Sequence, residues 1–170
     1  MKITRRTQLG LMGSSLLLAG AGAPMRALAQ SDEGPKTIEV HMLNKHPDNP
    51  REAMVFHPDL IRANPGDTIK FIATDKGHNT QSQDEMMPEG AEGWDSKINE
   101  DFEITLETEG TYGFNCKPHQ TVGMVGLILV GDPSSNYEAA KEARHRGKAA
   151  QRFEDLFARA DEMLASEESA

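Results

Sequence analysis

The chain has 170 residues, with 18 basic, 27 acidic and six histidine side chains and a formal net charge of −9. That length suits one ordinary domain with some chain to spare. The acidic balance argues against nucleic acid and anionic membrane as partners, and a single cysteine excludes an internal disulfide.

In chain order, "MKITRR" is basic, "LGLMGSSLLLAGAGAP" is apolar and small, and "ALA" precedes Gln30. This is the plan of an export signal over 1–29, with cleavage expected after Ala29. Interruption by glycines and Pro24 makes the stretch a poor spanning helix. Arg5 and Arg6 resemble a twin-arginine signal, but Gln8 stands where that pattern usually has an aromatic residue, so the Tat and Sec routes both stay open. Removing Lys2, Arg5, Arg6 and Arg26, in a segment without acids, leaves 14 basic against 27 acidic side chains, a net charge of −13. The mature protein is expected in the periplasm. In that oxidising compartment a lone cysteine calls for an explanation.

From Lys36 to about Val130 the pattern is one of short β-rich runs. "KTIEVHML" puts Ile38, Val40 and Met42 on one face, "DTIKFIA" does so with Ile69 and Phe71, and "FEITLET" with Phe102, Ile104 and Leu106. "TYGFNC" alternates Tyr112 and Phe114, while "VGLILVG" is nearly continuous and fits a strand covered on both sides. The turns "HPDNP", "NPGD", "MPEGAEGW" and "TEGT" separate these runs. Together they predict a mainly β domain over 30–131, an antiparallel sandwich or barrel. Over 132–170 the period changes. Asp132 suits a helix cap with Pro133 at the first helical position, and a helix is expected through "SSNYEAAKEARHRG" to Gly147. A second starts near Lys148, with Phe153, Leu156, Phe157, Ala160 and Leu164 on one stripe. That stripe must bury against an outer face of the sheet.

Chemistry concentrates in "FNCKPHQTVGM". Cys116 ends a predicted strand, and a tight loop through Pro118 brings His119 and Met124 close to it. Thiolate, imidazole and thioether are ligands of soft or borderline metals. His78, in "DKGHNT" after another predicted strand, is the best second imidazole. Two histidines, one cysteine and a weak axial methionine form the type 1 copper set used for electron transfer. Zinc fits less well, because methionine is a poor zinc ligand. His41, His46, His57 and His145 read as surface or hydrogen-bonded histidines, and Met86 and Met87 as packing beside Trp94.

"VHMLNK", "DKGHN", "MPEGAEGWDSKINE" and "YGFNCKPHQTVGMVGLILVGD", together with the helical tail, resemble the pseudoazurin branch of the cupredoxins. The resemblance implies an eight-stranded Greek-key sandwich with two C-terminal α-helices and one copper ion at one end. By motif position it implies the ligands His78, Cys116, His119 and Met124. It further implies that Asn79 ties the ligand loops together, with its backbone N–H aimed at the Cys116 sulfur. Pro118 has no N–H to offer that sulfur. Lys117 replaces the family's usual small residue, often a threonine that bonds to the asparagine, and puts that bond in question. Met54 matches a methionine beside the exposed histidine ligand, and "HPDNPREAM" is longer than the family's usual connection.

An apolar patch of Met54, Pro118 and Met124 around His119 is expected to dock transiently on redox partners. Lys45, Lys76, Lys97 and Lys117 are expected to form a basic rim on an acidic body. The resemblance implies copper nitrite reductase of denitrification, or another periplasmic reductase, as acceptor and a cytochrome as donor, with the carrier a monomer. An enzyme would need an open metal position or a second cluster. The alternative is copper storage or delivery, which Met42, Met54, Met86 and Met87 keep in view.

Overall fold

The computed structural model describes residues 34–169; the expected export segment lies outside them. Eight strands occupy this stretch: β1 (Thr37–Lys45), β2 (Ala53–His57), β3 (Leu60–Ala63), β4 (Asp67–Ile72), β5 (Gln81–Ser82), β6 (Phe102–Leu106), β7 (Gly110–Asn115) and β8 (Val125–Val130). They form two four-stranded sheets, ordered β2-β1-β4-β6 and β3-β8-β7-β5. Alternation decides which side chains face inward. Val40 and Met42 of β1, Ile69 and Phe71 of β4, and Tyr112, Phe114, Ile128 and Val130 of β7 and β8 meet in one buried core between the sheets. Phe114 packs edge-on against Phe56 and Phe71, at centroid distances of 4.8 and 5.2 Å.

The sheets are mixed, not antiparallel. β1 runs parallel to β4, with Val40 opposite Phe71, and β3 runs parallel to β8, with Leu60 opposite Leu127. Parallel neighbours need a crossover, and the chain makes one by passing from β2 into β3 of the other sheet. Three strands carry no clear sequence signal. In β2 the adjacent Val55 and Phe56 are both buried, which breaks the alternation; β3 has four residues, and β5 only two.

The apolar run of β8 is buried on both faces, as its composition predicts. Val125, Leu127 and Leu129 point away from the central core into a second cluster with Met86, Phe153, Leu156, Phe157 and Ala160. Four members of this cluster, and Leu164 at its margin, are the predicted stripe of α2 (Lys148–Glu168). Burying each such large side chain fully stabilises the fold by roughly 1.5–3 kcal/mol. Three ion pairs set the helix lengthwise: Arg152–Glu52 at 2.6 Å, Arg159–Asp59 at 2.8 Å and Arg62–Glu167 at 3.0 Å. Solvent screens them, so each adds little energy.

The first predicted helix is shorter than expected. Asp132 does accept from the Ser134 N–H, with Pro133 in place, but it caps a 3-10 turn (Pro133–Ser135). α1 (Tyr137–Lys141) follows. Asn136 bonds both backbone groups of Thr111 at 2.8 Å and pins this start to β7. Beyond Lys141, "EARHRG" offers only Ala143 and the His145 ring to the cluster under the helices, too little apolar surface to hold further turns. Met86 and Met87 also part company. Met86 lies fully buried under the helices, and only Met87 packs with the cluster that contains Trp94. No helix of the described residues is long and apolar enough to cross a membrane.

Candidate metal centre

β7 hands the chain to Cys116 in extended backbone, and Pro118 starts a 3-10 turn over Lys117–Val122. Gly123 ends it in the left-handed region at φ 95°, and its N–H reaches the carbonyls of Gln120 and His119. Three further backbone bonds close the loop. The Cys116 N–H donates to Met124 O at 2.9 Å, His119 N–H to Cys116 O at 3.1 Å, and Met124 N–H to His119 O at 3.1 Å. Met124 then enters β8 fully buried.

His78 arrives from the other sheet, after β4. The N–H of Asn99 donates to its carbonyl at 2.9 Å, and its own ring is fully buried. Its Nε2 sits 3.1 Å from Asn44 Oδ1 at the end of β1. The amide oxygen can only accept, so Nε2 carries the hydrogen and Nδ1 keeps its lone pair. β1 and β4 are parallel neighbours, which is why Asn44 and the segment after β4 share one end of the sandwich. Asn44 was missed in the sequence. The signal available was the need of a buried imidazole for an outer partner.

The result is a triangle of donor atoms. His78 Nδ1 lies 3.1 Å from His119 Nδ1, Cys116 Sγ lies 3.5 Å from His119 Nδ1, and Cys116 Sγ lies 3.8 Å from His78 Nδ1. Among the described residues this is the one group of three or more histidine, cysteine or acidic side chains with ligand atoms this close. Bonds of about 2.0–2.1 Å to nitrogen and about 2.3 Å to sulfur let one ion touch all three. Two imidazoles and a thiolate, with a buried thioether next in the loop, are the donors that copper takes in both oxidation states.

Burial disfavours charge on two of the three donors. Burial pushes the Cys116 thiol up, against the pull of the Asn79 and His119 backbone N–H groups on the sulfur. Burial, and then the neighbouring His119, hold His78 below the ordinary imidazole range, with Asp75 opposing. Metal binding must therefore expel the Cys116 thiol proton. The Asn79 N–H pulls the thiol in the direction the resemblance implied. Pro118 has no N–H to give, and the His119 N–H is engaged with the Cys116 carbonyl at 3.1 Å.

Asn79 also joins the two ligand segments through its side chain. Oδ1 accepts the Lys117 backbone N–H at 2.9 Å, and Nδ2 donates to Ser96 O at 3.1 Å. The loop tie thus survives a lysine at 117, because the bond uses backbone. The Lys117 ammonium turns instead to Asp95, and Lys97 lies 3.8 Å from Glu100. This corrects the basic rim. Two of its four cations face an acid, and only Lys45 and Lys76 lack an ion-pair partner among the described residues. The apolar patch needs the same correction. Met124 is wholly buried and cannot reach solvent, whereas Val122 is 48% exposed beside exposed Pro118. His119 is half-buried, and Met54, at φ 55°, packs against the main core.

The other histidines have separate roles. His41 bonds Thr74, His46 Nδ1 accepts from the Asp48 and Asn49 N–H groups and its ring meets His57 edge-on, and His145 lies over Phe153 at 4.1 Å. The His46 bonds organise the long connection before β2.

Comparison with known proteins agrees with this geometry. Residues 41–131 match the family described as copper binding proteins, plastocyanin/azurin family. The pseudoazurin of Paracoccus pantotrophus is 47% identical over 137 residues, covering 81% of this chain and 92% of that protein. The crystal structure of the Methylobacterium extorquens AM1 pseudoazurin is similar at a TM-score of 0.68 and 42% identity, over 73% of this chain and 98% of that one. The Hyphomicrobium denitrificans pseudoazurin matches at 0.68 and 36%, over 72% and 97%. With its mixed cupredoxin sandwich, two C-terminal helices and copper-type donor triangle, this chain belongs to the pseudoazurin family of electron-transfer copper proteins.

Proposed function

We propose that this chain is a periplasmic carrier of single electrons. In this reading His78 Nδ1, His119 Nδ1, Cys116 Sγ and, more weakly, the Met124 thioether hold one type 1 copper ion. The buried triangle of two imidazoles and a thiol carries the proposal. Bound copper supplies the redox chemistry, cycling between Cu(I) and Cu(II). The protein supplies orientation. Asn44 fixes the His78 tautomer, Asn79 ties the two ligand segments, and the sandwich shields Cys116 and His78 from water. His119 is the exit for the electron, since it is half-buried and its Nε2 makes no hydrogen bond among the described residues.

Pro118 and Val122 beside His119 offer a small apolar contact, suited to a brief encounter. The acceptor is a periplasmic reductase, with copper nitrite reductase of denitrification as the first choice and a cytochrome as donor; the carrier acts as a monomer. The segment over 1–29 directs export. Storage or delivery finds no support in the methionines. Met42 and Met86 are sealed in the core, and Met54 and Met87 pack against it, so none forms an exchange surface.

Copper loading of the purified protein tests the proposal. The oxidised form is expected to be intensely blue or green at one copper per chain and to bleach reversibly with a mild reductant. Cys116→Ser is expected to lose the colour with its fold intact; a colourless wild-type complex refutes the reading. Stopped-flow reduction of copper nitrite reductase tests the acceptor, and a carrier that stays reduced in its presence removes that partner.

A further inference from the structure

The turn Lys117–Val122 contains no buried residue, although it carries His119 and leads to Met124. A loop without its own anchor in the core must be braced from outside. Asn79 braces one end by accepting the Lys117 N–H. On the other side lies the start of α2.

We infer that the first turns of α2 position the ligand loop, and that Gly147 and Arg152 determine how firmly they do so. Gly147 precedes the helix at φ 64°, ψ −144°, a region open essentially to glycine alone. A Cβ there would lie 2.5 Å from the Thr121 carbonyl oxygen, within the turn and two residues past His119. A second close approach follows. A Cβ on Gly123, itself at φ 95°, would lie 3.4 Å from Lys148 Cβ and 3.6 Å from Lys148 O. At Gly147 the opposing atom is a backbone carbonyl, which cannot swing aside as a side-chain tip does.

One turn further on, Arg152 bonds Glu52 at 2.6 Å. Glu52 is itself held by backbone bonds from its N–H to Asn49 O and from the His46 N–H to its carbonyl. The helix is thereby clamped to the connection before β2. A polar cleft of about 240 Å³, lined by Glu52, Val122, Gly123, Lys148 and Arg152 among others, runs along this seam. The seam therefore lacks an apolar filling and depends on these few contacts. Further along, Phe153 and Leu156 fix α2 to β8, so the helix is a rigid strut and the loop is the part that yields.

The mechanical part of this inference stands without copper, while its spectroscopic part rests on the proposed ligand set. Three variants separate the effects: Gly147→Ala strains the contact, Arg152→Ala loosens the clamp, and Arg62→Ala removes the ion pair at the far end of α2 together with the Arg62 bonds to Ala63 O and Leu129 O. Amide hydrogen exchange is measured on the full chain, copper-free and copper-loaded. In the first two variants exchange at the Gly123 and Met124 amides is expected to rise about fivefold or more relative to the β7 and β8 amides, with no such rise in Arg62→Ala. With copper bound, the visible bands and the reduction potential are expected to shift in the same two variants only. If all three lower Tm alike and leave relative exchange and spectrum unchanged, α2 is merely a structural cover and the inference fails. Should Gly147→Ala not fold, Arg152→Ala against Arg62→Ala decides between strut and cover by the same two readouts. A wild-type protein without colour would sink the copper reading and leave the exchange comparison intact.

Discussion

Asn79→Ala tests how much of the centre's stability comes from one amide. The side chain is 1% exposed. It bonds the Lys117 N–H at 2.9 Å and Ser96 O at 3.1 Å, with a longer contact to Asp95 at 3.4 Å. Truncation strands one donor and one acceptor, each costing about 1–3 kcal/mol when water cannot replace the partner. Lys117 is exposed and its N–H can be rehydrated in part, so the total falls at about 2–4 kcal/mol. For a domain of this size that is a loss of roughly 6–16 °C in Tm. Thermal unfolding of the copper-free protein, followed by circular dichroism, gives the number without interference from metal binding. Asn79→Asp supplies the internal check. It keeps an acceptor for Lys117 but loses the donor to Ser96 and sets a charge beside Asp95. A fall of less than about 2 °C in Asn79→Ala would refute the claim that this amide holds the two segments together.

Asn44→Ala frees the His78 ring to rotate and change tautomer, and copper affinity is expected to fall about 10–100-fold in a competitive chelator titration. Leu156→Ala empties a fully buried position between α2 and β8, so denaturant unfolding should show a loss of about 2–5 kcal/mol. Glu52 is held below its ordinary carboxylate range chiefly by its hydrogen bond to Arg152. A depressed carboxylate stabilises the fold above its unfolded value, near 4.5, and that contribution disappears as pH falls through the lower folded value. Unfolding curves of Glu52→Gln should therefore fall less steeply below about pH 4.5 than those of the wild type. The difference stays within about 1 kcal/mol because the pair is partly exposed.

The cluster of Cys116 and His119 was legible because its chemistry is compressed. Cys116, His119 and Met124 share nine residues, and the spacing itself names the metal class. The stripe of α2 was legible because helical periodicity survives in composition, and β8 because a strand covered on both faces has no polar alternation to hide it. Asn44 and Asn79 were harder. Their roles depend on which strands end side by side, and parallel pairing of β1 with β4 is not encoded in either strand's pattern. The rim charges misled for a related reason. Counting lysines near a site says nothing of the acids that meet them, and Asp95 reaches Lys117 only after the loops are folded. Helix α1 is shorter than its sequence suggests because propensity continues where buried contact stops.

The double burial of β8 also shapes how the molecule must be made. Six consecutive residues, Val125–Val130, carry no charge and no proline, the composition that drives strand-to-strand stacking between chains. Much of the cover on their outer face comes from the helix beginning at Lys148, with Phe153, Leu156, Phe157 and Ala160. A shortened or stalled chain lacking that helix leaves this strand with only Met86, Tyr137 and Ala140 of the buried cluster beside it, which favours association with other chains over folding.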